Sequence, residues 1–238
     1  MLTAEEKIAL ASSAEFQKIL AEDAELRELD ESQIDYNVEK LLLWETLGGT
    51  LDAYGIEVSP ITPAIWSFLW LSRSPLCTGA VPSTKDVAEA VFILTHSLEI
   101  INFDTLDNDA RLFADKIGLN EENAKNVWKE LVEIVEHTFS PLKMLPQAGN
   151  TSSNSEPVFD TDWFLSVCSI AANEANMPIR EVAVHFPLSA VFGLMVIRAR
   201  KANPGVSIGR HTPEYVGKRI LERTNELAED FLNNGGSR

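Results

Sequence analysis

Residues 61–79 read ITPAIWSFLWLSRSPLCTG, and they constrain the fold more than any other stretch of the chain. Thr62 before Pro63 sets an N-cap beside a proline at the first helical position, where the missing N–H costs nothing. A helix then runs to about Arg73, until Pro75 biases Ser74 away from helical angles. Within it Ile65, Trp66, Phe68, Leu69, Trp70 and Leu71 encircle the axis instead of forming a stripe. Burial on nearly all sides is therefore expected. Such a helix is either the centre of an intramolecular core or is partly covered by another chain. The second reading makes Trp66 and Trp70 candidate partner-binding residues.

The rest of the sequence supplies helices to surround it. Thr3 and Glu6 form a capping box, from which an acidic amphipathic helix is expected to run to about Leu29. Ile34–Leu47 resumes helical spacing until Gly48-Gly49 interrupts it. Ser83 or Thr84 caps a helix through Asp86, Val87, Val91 and Leu94. Others are expected at Thr105–Ile117, closed by Gly118, and at Glu121–Thr138, capped by Asn120. Asp160 caps Thr161–Ala175, Pro178 starts a short helix, Pro187 begins one through Arg200, and Thr212-Pro213 opens one to about Leu232. Residues 146–158, PQAGNTSSNSEPV, hold no large apolar side chain before the final valine, as a loop or linker does. The expected fold is all-α: an irregular multi-helix bundle in two helical lobes, 1–145 and 159–238, joined by 146–158.

Composition removes several function classes. The 238 residues are 45% hydrophobic and 24% charged, which supports a packed core and argues against disorder. The net charge of −16 is concentrated in the first 57 residues, while residues from 178 onward are mildly basic. A polyanion is repelled by most of such a surface, so no nucleic-acid partner is expected. Opposite-signed ends allow head-to-tail self-association. The N-terminus lacks a basic region followed by an apolar stretch, so no signal peptide is expected. The longest uncharged run, Val58–Ser72, is too short for a membrane span and contains two prolines.

Reactive constellations are weak. Glu130, Glu133 and His137 share one helical face, as do Glu181 and His185, but neither matches a di-iron or zinc-protease motif, and solvated faces are expected. Asp104, Asp107 and Asp109 lack the glycine of a calcium loop. Cys77 and Cys168 read as reduced, buried thiols. A Cys168–His185 nucleophile pair is disfavoured because apolar surroundings raise a thiol pKa. Arg198, Arg200 and Lys201 end one helix, where cations complement its dipole; an acidic patch on another subunit is the alternative. No catalytic residue, metal site or cofactor is expected.

One resemblance goes further. Thr62-Pro63, the aromatic helix, Ser74-Pro75-Leu76, Thr78-Gly79, Pro82-Ser83 and the apolar helix opened by Asp86 resemble a pattern in tail-cluster proteins of tailed phages and prophages. The Trp163 helix, Glu181-Val182-Ala183 and Phe186-Pro187-Leu188 are similar to segments of phage tail assembly chaperones. Together they span about half of the chain. The resemblance implies a non-enzymatic morphogenesis protein in the bacterial cytoplasm that escorts the tape-measure protein by binding its apolar helices. This chain is longer than chaperones of that kind and has its own acidic N-terminal helix. A structural component of the particle, assembled through acidic and basic ends, is the alternative; an enzyme of unrecognised type comes third.

Overall fold

The structure, a computed structural model, describes residue 10 and residues 13–31, 35–145, 159–203, 209 and 211–233. Helices dominate, and one short hairpin is the strand structure among the described residues, so the fold is all-α. The chain forms two compact units. One combines residues 1–39 with 210–238, and the other comprises residues 40–209. This grouping differs from lobes of 1–145 and 159–238. Trp66, Phe139 and Phe159 meet in one aromatic cluster, so residues on both sides of the expected boundary share a core. The expected linker, 146–158, lies outside the described residues, as does the capping box at Thr3 and Glu6.

The smaller unit contains α1 (Ala14–Glu22), α2 (Ala24–Glu31) and α12 (Glu214–Asn233). A single helix to Leu29 was the expectation, but the chain breaks at Asp23, whose backbone is extended. Asp23 Oδ1 accepts from the Leu26 N–H, acting as a cap inside what reads as a continuous stripe. Leu10, Phe16 and Ala228 are buried together, with Leu20, Leu227 and Phe231 packed against them.

The larger unit takes up most of α3 (Tyr36–Thr46), then a hairpin of β1 (Leu51–Ala53) and β2 (Ile56–Val58). Tyr54 and Gly55 both have positive φ, as a tight two-residue turn demands. The sequence signal was the alternation of Leu51, Ala53, Ile56 and Val58 around Tyr54-Gly55, which is too short to separate from loop. The helix α4 (Pro63–Leu71) is capped by Thr62, whose hydroxyl accepts from Ile65 N–H at 3.2 Å. A one-turn helix α5 (Pro75–Thr78) follows and ends at Gly79, which is left-handed.

Then come α6 (Thr84–Thr95), α7 (Leu106–Ile117), α8 (Glu121–Thr138), α9 (Thr161–Ala175), α10 (Ile179–His185) and α11 (Leu188–Ala202). Ser83 and Asp86 close a reciprocal capping box on α6, and Asn120 and Asn123 do so on α8. The core gathers Trp66 and Leu69 of α4, Val91 and Ile93 of α6, Val127 and Leu131 of α8, and Leu188 and Phe192 of α11. Burying one such leucine contributes about 2 kcal/mol. The Ile61 carbonyl accepts from Leu188 N–H at 2.7 Å, which ties the entry of α4 to the start of α11.

Candidate functional site

The aromatic helix is less enclosed than its composition implies. Ile65, Trp66 and Leu69 are buried, with Trp66 only 2% exposed, but Phe68 and Trp70 are partly open and Leu71 is 66% exposed. The expectation of burial on nearly all sides is therefore corrected. Trp66 is a core residue, held against Phe139 at a centroid distance of 4.9 Å and edge-on to Phe159 at 5.3 Å. Trp70, one turn later, lines a cavity of about 350 Å³ whose walls include Ala64, Phe68, Leu71, Phe159 and Phe164. Its ring also meets Phe159 edge-on at 5.3 Å. Asp160 and Thr161 bring the N-terminus of α9 to the same rim.

This geometry follows from local chemistry. Thr62 and Asp160 fix the starts of α4 and α9, and Phe159, next to the second cap, wedges between the two tryptophans. Because the apolar residues encircle α4, whichever side the core does not take remains apolar and open. The result is a concave aromatic surface with one carboxylate at its edge.

The basic group stands elsewhere. Arg198, Arg200 and Lys201 are exposed at the C-terminal end of α11, and Lys201 Nζ lies 2.9 Å from Glu174 on α9. Glu174 is thirteen residues beyond Thr161, roughly 20 Å along that helix. The two tryptophans and the three cations therefore do not form one site.

A polar cluster that the sequence reading missed lies inside the same unit. Glu45 of α3 is 1% exposed; its Oε2 accepts from Ser189 Oγ at 2.6 Å and sits 3.2 Å from His137 Nε2. His137 is thus nearly enclosed, and the expected solvated face of Glu130, Glu133 and His137 is corrected at His137. Glu45 Oε1 has no hydrogen-bond partner, nor do buried Ser140 Oγ and His137 Nε2, whose approach to Glu45 is a close contact rather than a hydrogen bond. Serine and histidine both approach one carboxylate oxygen, and the serine hydroxyl donates its proton to that carboxylate. The one available signal was an acid among Leu41, Leu42, Leu43 and Trp44.

The remaining candidates separate. Cys168 is buried, and burial pushes its thiol up to about 11. Cys77 is only half-buried, a correction to the expected full burial, and desolvation raises it to about 12. His185 is exposed and faces Glu181 at 3.8 Å. His96 stacks on Phe92 and meets Phe113 edge-on. A depression of about 780 Å³ bounded by Val81, Pro82, Lys85, Glu121, Lys125 and Trp128 has charged walls, but Lys85 is drawn 3.1 Å from Asp107 and raised in pKa by it. Among the described residues no group of three or more His, Cys, Asp or Glu is placed to hold a metal ion, and no helix is long and apolar enough to cross a membrane.

Comparison of the chain with protein-family models, curated proteins and solved structures gives no match.

Proposed function

We propose that the protein is a non-enzymatic tail-morphogenesis protein, an assembly chaperone that binds apolar helices of a tape-measure protein in the bacterial cytoplasm. The observation that supports this reading is the open aromatic cavity beside Trp70. A groove of this kind takes the apolar side chains of a helix at spacings of three and four residues, as helix-in-groove recognition requires. The net charge of −16 keeps a complex with an apolar client hydrated. Trp66 supports the groove from below, and Trp70 touches the client. Arg198, Arg200 and Lys201 remain a separate surface for an acidic neighbour or for self-association.

The test is co-expression with a tailed-phage tape-measure protein, with wild type and with Trp70→Ala/Phe164→Ser. The reading requires that wild type holds the client soluble and co-purifies with it, and that the double variant, folded by circular dichroism, does not. A client equally soluble with both would overturn it. Mass spectrometry of purified particles separates the alternative: a chaperone is absent from them, and a structural component is present.

A further inference from the structure

The helix α3 encloses an acid and leaves large apolar groups in the open. Its buried position is Glu45, while Leu43 is 60% exposed, Trp44 54% and Leu47 74%. At about 100° per residue, Glu45 points away from both Leu43 and Leu47, which lie one turn apart on one face. The contacts of Glu45 with Ser189 and His137 therefore fix the rotation of α3 and hold the leucines outward. Turning the helix over would carry Leu43 and Leu47 inward and release the carboxylate to water, at the expense of half-buried Val38 and Leu42, which share the inner face with Glu45. Enclosing a carboxylate is costly and exposed leucines gain nothing, so the observed rotation leaves apolar area on the surface that a partner can cover.

The ground beside this face is acidic. Trp44 Nε1 donates to the Thr50 carbonyl at 2.9 Å, and its indole covers Gly49, where a Cβ would collide with the ring. Thr50 Oγ1 in turn donates to Glu57, whose cross-strand neighbour is Asp52, and both acids lie on the exposed side of the hairpin. Glu130 accepts from the Tyr54 N–H at the hairpin tip. Lys40 is exposed at the N-terminal end of the same face, three residues before Leu43 and seven before Leu47, and the acids lie toward the other end.

We infer that the Leu43–Trp44–Leu47 face is a docking site for a basic amphipathic helix of another protein, with leucine-type side chains on α3 and lysine or arginine over Asp52 and Glu57. Charge complementarity selects this occupant. A second copy of the chain meeting the same face would set these acids against their own counterparts, which is repulsive. The site is separate from the cavity beside Trp70, and its argument does not depend on what that cavity binds.

The test is fluorescence anisotropy with a labelled, designed helical peptide carrying a leucine stripe flanked by lysines, and with its twin in which glutamates replace the lysines. The lysine peptide is expected to bind wild type at least about tenfold tighter than the glutamate peptide, a margin that shrinks with salt. Leu43→Ser/Leu47→Ser is expected to lose about tenfold while its circular dichroism is unchanged. Equal binding of both peptides, no binding, or binding indifferent to the serine substitutions overturns the inference. So does a wild-type dimer in light scattering that the serine variant abolishes, which would make a second copy the occupant.

Discussion

The two compact units are held together by different physics. In residues 40–209, aromatic and aliphatic side chains from α4, α6, α8 and α11 close a continuous core around Trp66 and Leu69. In the other unit the described buried cluster is Leu10, Phe16 and Ala228, and ion pairs also join α1–α2 to α12. Arg223 Nη2 lies 2.8 Å from Asp23 Oδ2 and Arg219 Nε lies 2.6 Å from Glu25 Oε1, with Glu226 reaching both arginines. A large unit draws its stability from area removed from water, which neither salt nor acid weakens directly. In the smaller unit a network of charges adds to the described core, and both conditions loosen that network.

The comparison breaks first at Trp66. Replacing it with alanine is expected to cost about 3–5 kcal/mol, read as a drop in the denaturant midpoint of the larger unit. A loss below about 1 kcal/mol would mean that this core is not the principal support. Next in size, His137→Ala is expected to cost about 3 kcal/mol, because it removes a partner of enclosed Glu45. Adding Glu45→Gln should recover part of that loss, and a double-mutant cycle measures the coupling. In the smaller unit Phe16→Ala, which removes a ring 5.5 Å from Phe231, is expected to cost about 3 kcal/mol, less than at Trp66 because one ring packs on Phe16 among the described residues and two pack on Trp66. A larger loss there than at Trp66 would reverse the comparison.

The smallest effect sharpens it most. Hydrogen bonds from Arg223 hold the Asp23 and Glu226 carboxyls below their ordinary values of 3.8 and 4.5. Groups depressed in the folded state contribute stability that is full above those values and is lost as pH falls through the lower folded ones. Acidification below about pH 4, or salt near 1 M, is therefore expected to loosen α12 while the larger unit stays folded. Methyl resonances of Leu227 and Leu131 report the two units separately. Simultaneous loss of both signals would refute the division of labour.

Much of the helical framework was legible from caps and stops. Asn120 opens α8, Asp160 opens α9 and Gly118 ends α7, as local hydrogen bonding at helix ends dictates. Asp23 was harder, since an acid in an acidic amphipathic stripe gives no sign that it will cap a new helix. The hairpin was too short for its alternation to register. Which residues share a core was not legible, because residues 1–39 join 210–238 through contacts that no local pattern encodes.

The candidate sites divide in the same way. Composition singled out the aromatic helix, but only packing decided that Trp66 lies inside and Trp70 faces a cavity, since an all-round apolar helix has no intrinsic inner side. Glu45 shows the limit most clearly. A run of leucines predicts burial of the leucines, yet Ser189, 144 residues away, and His137 draw the acid inward. By itself the sequence determined where most helices begin and end, the break at Asp23 apart, because caps, prolines and glycines act on neighbouring peptide groups. Only the tertiary structure decided which face of each helix meets water, because that is set by partners distant in the chain competing for the same buried space.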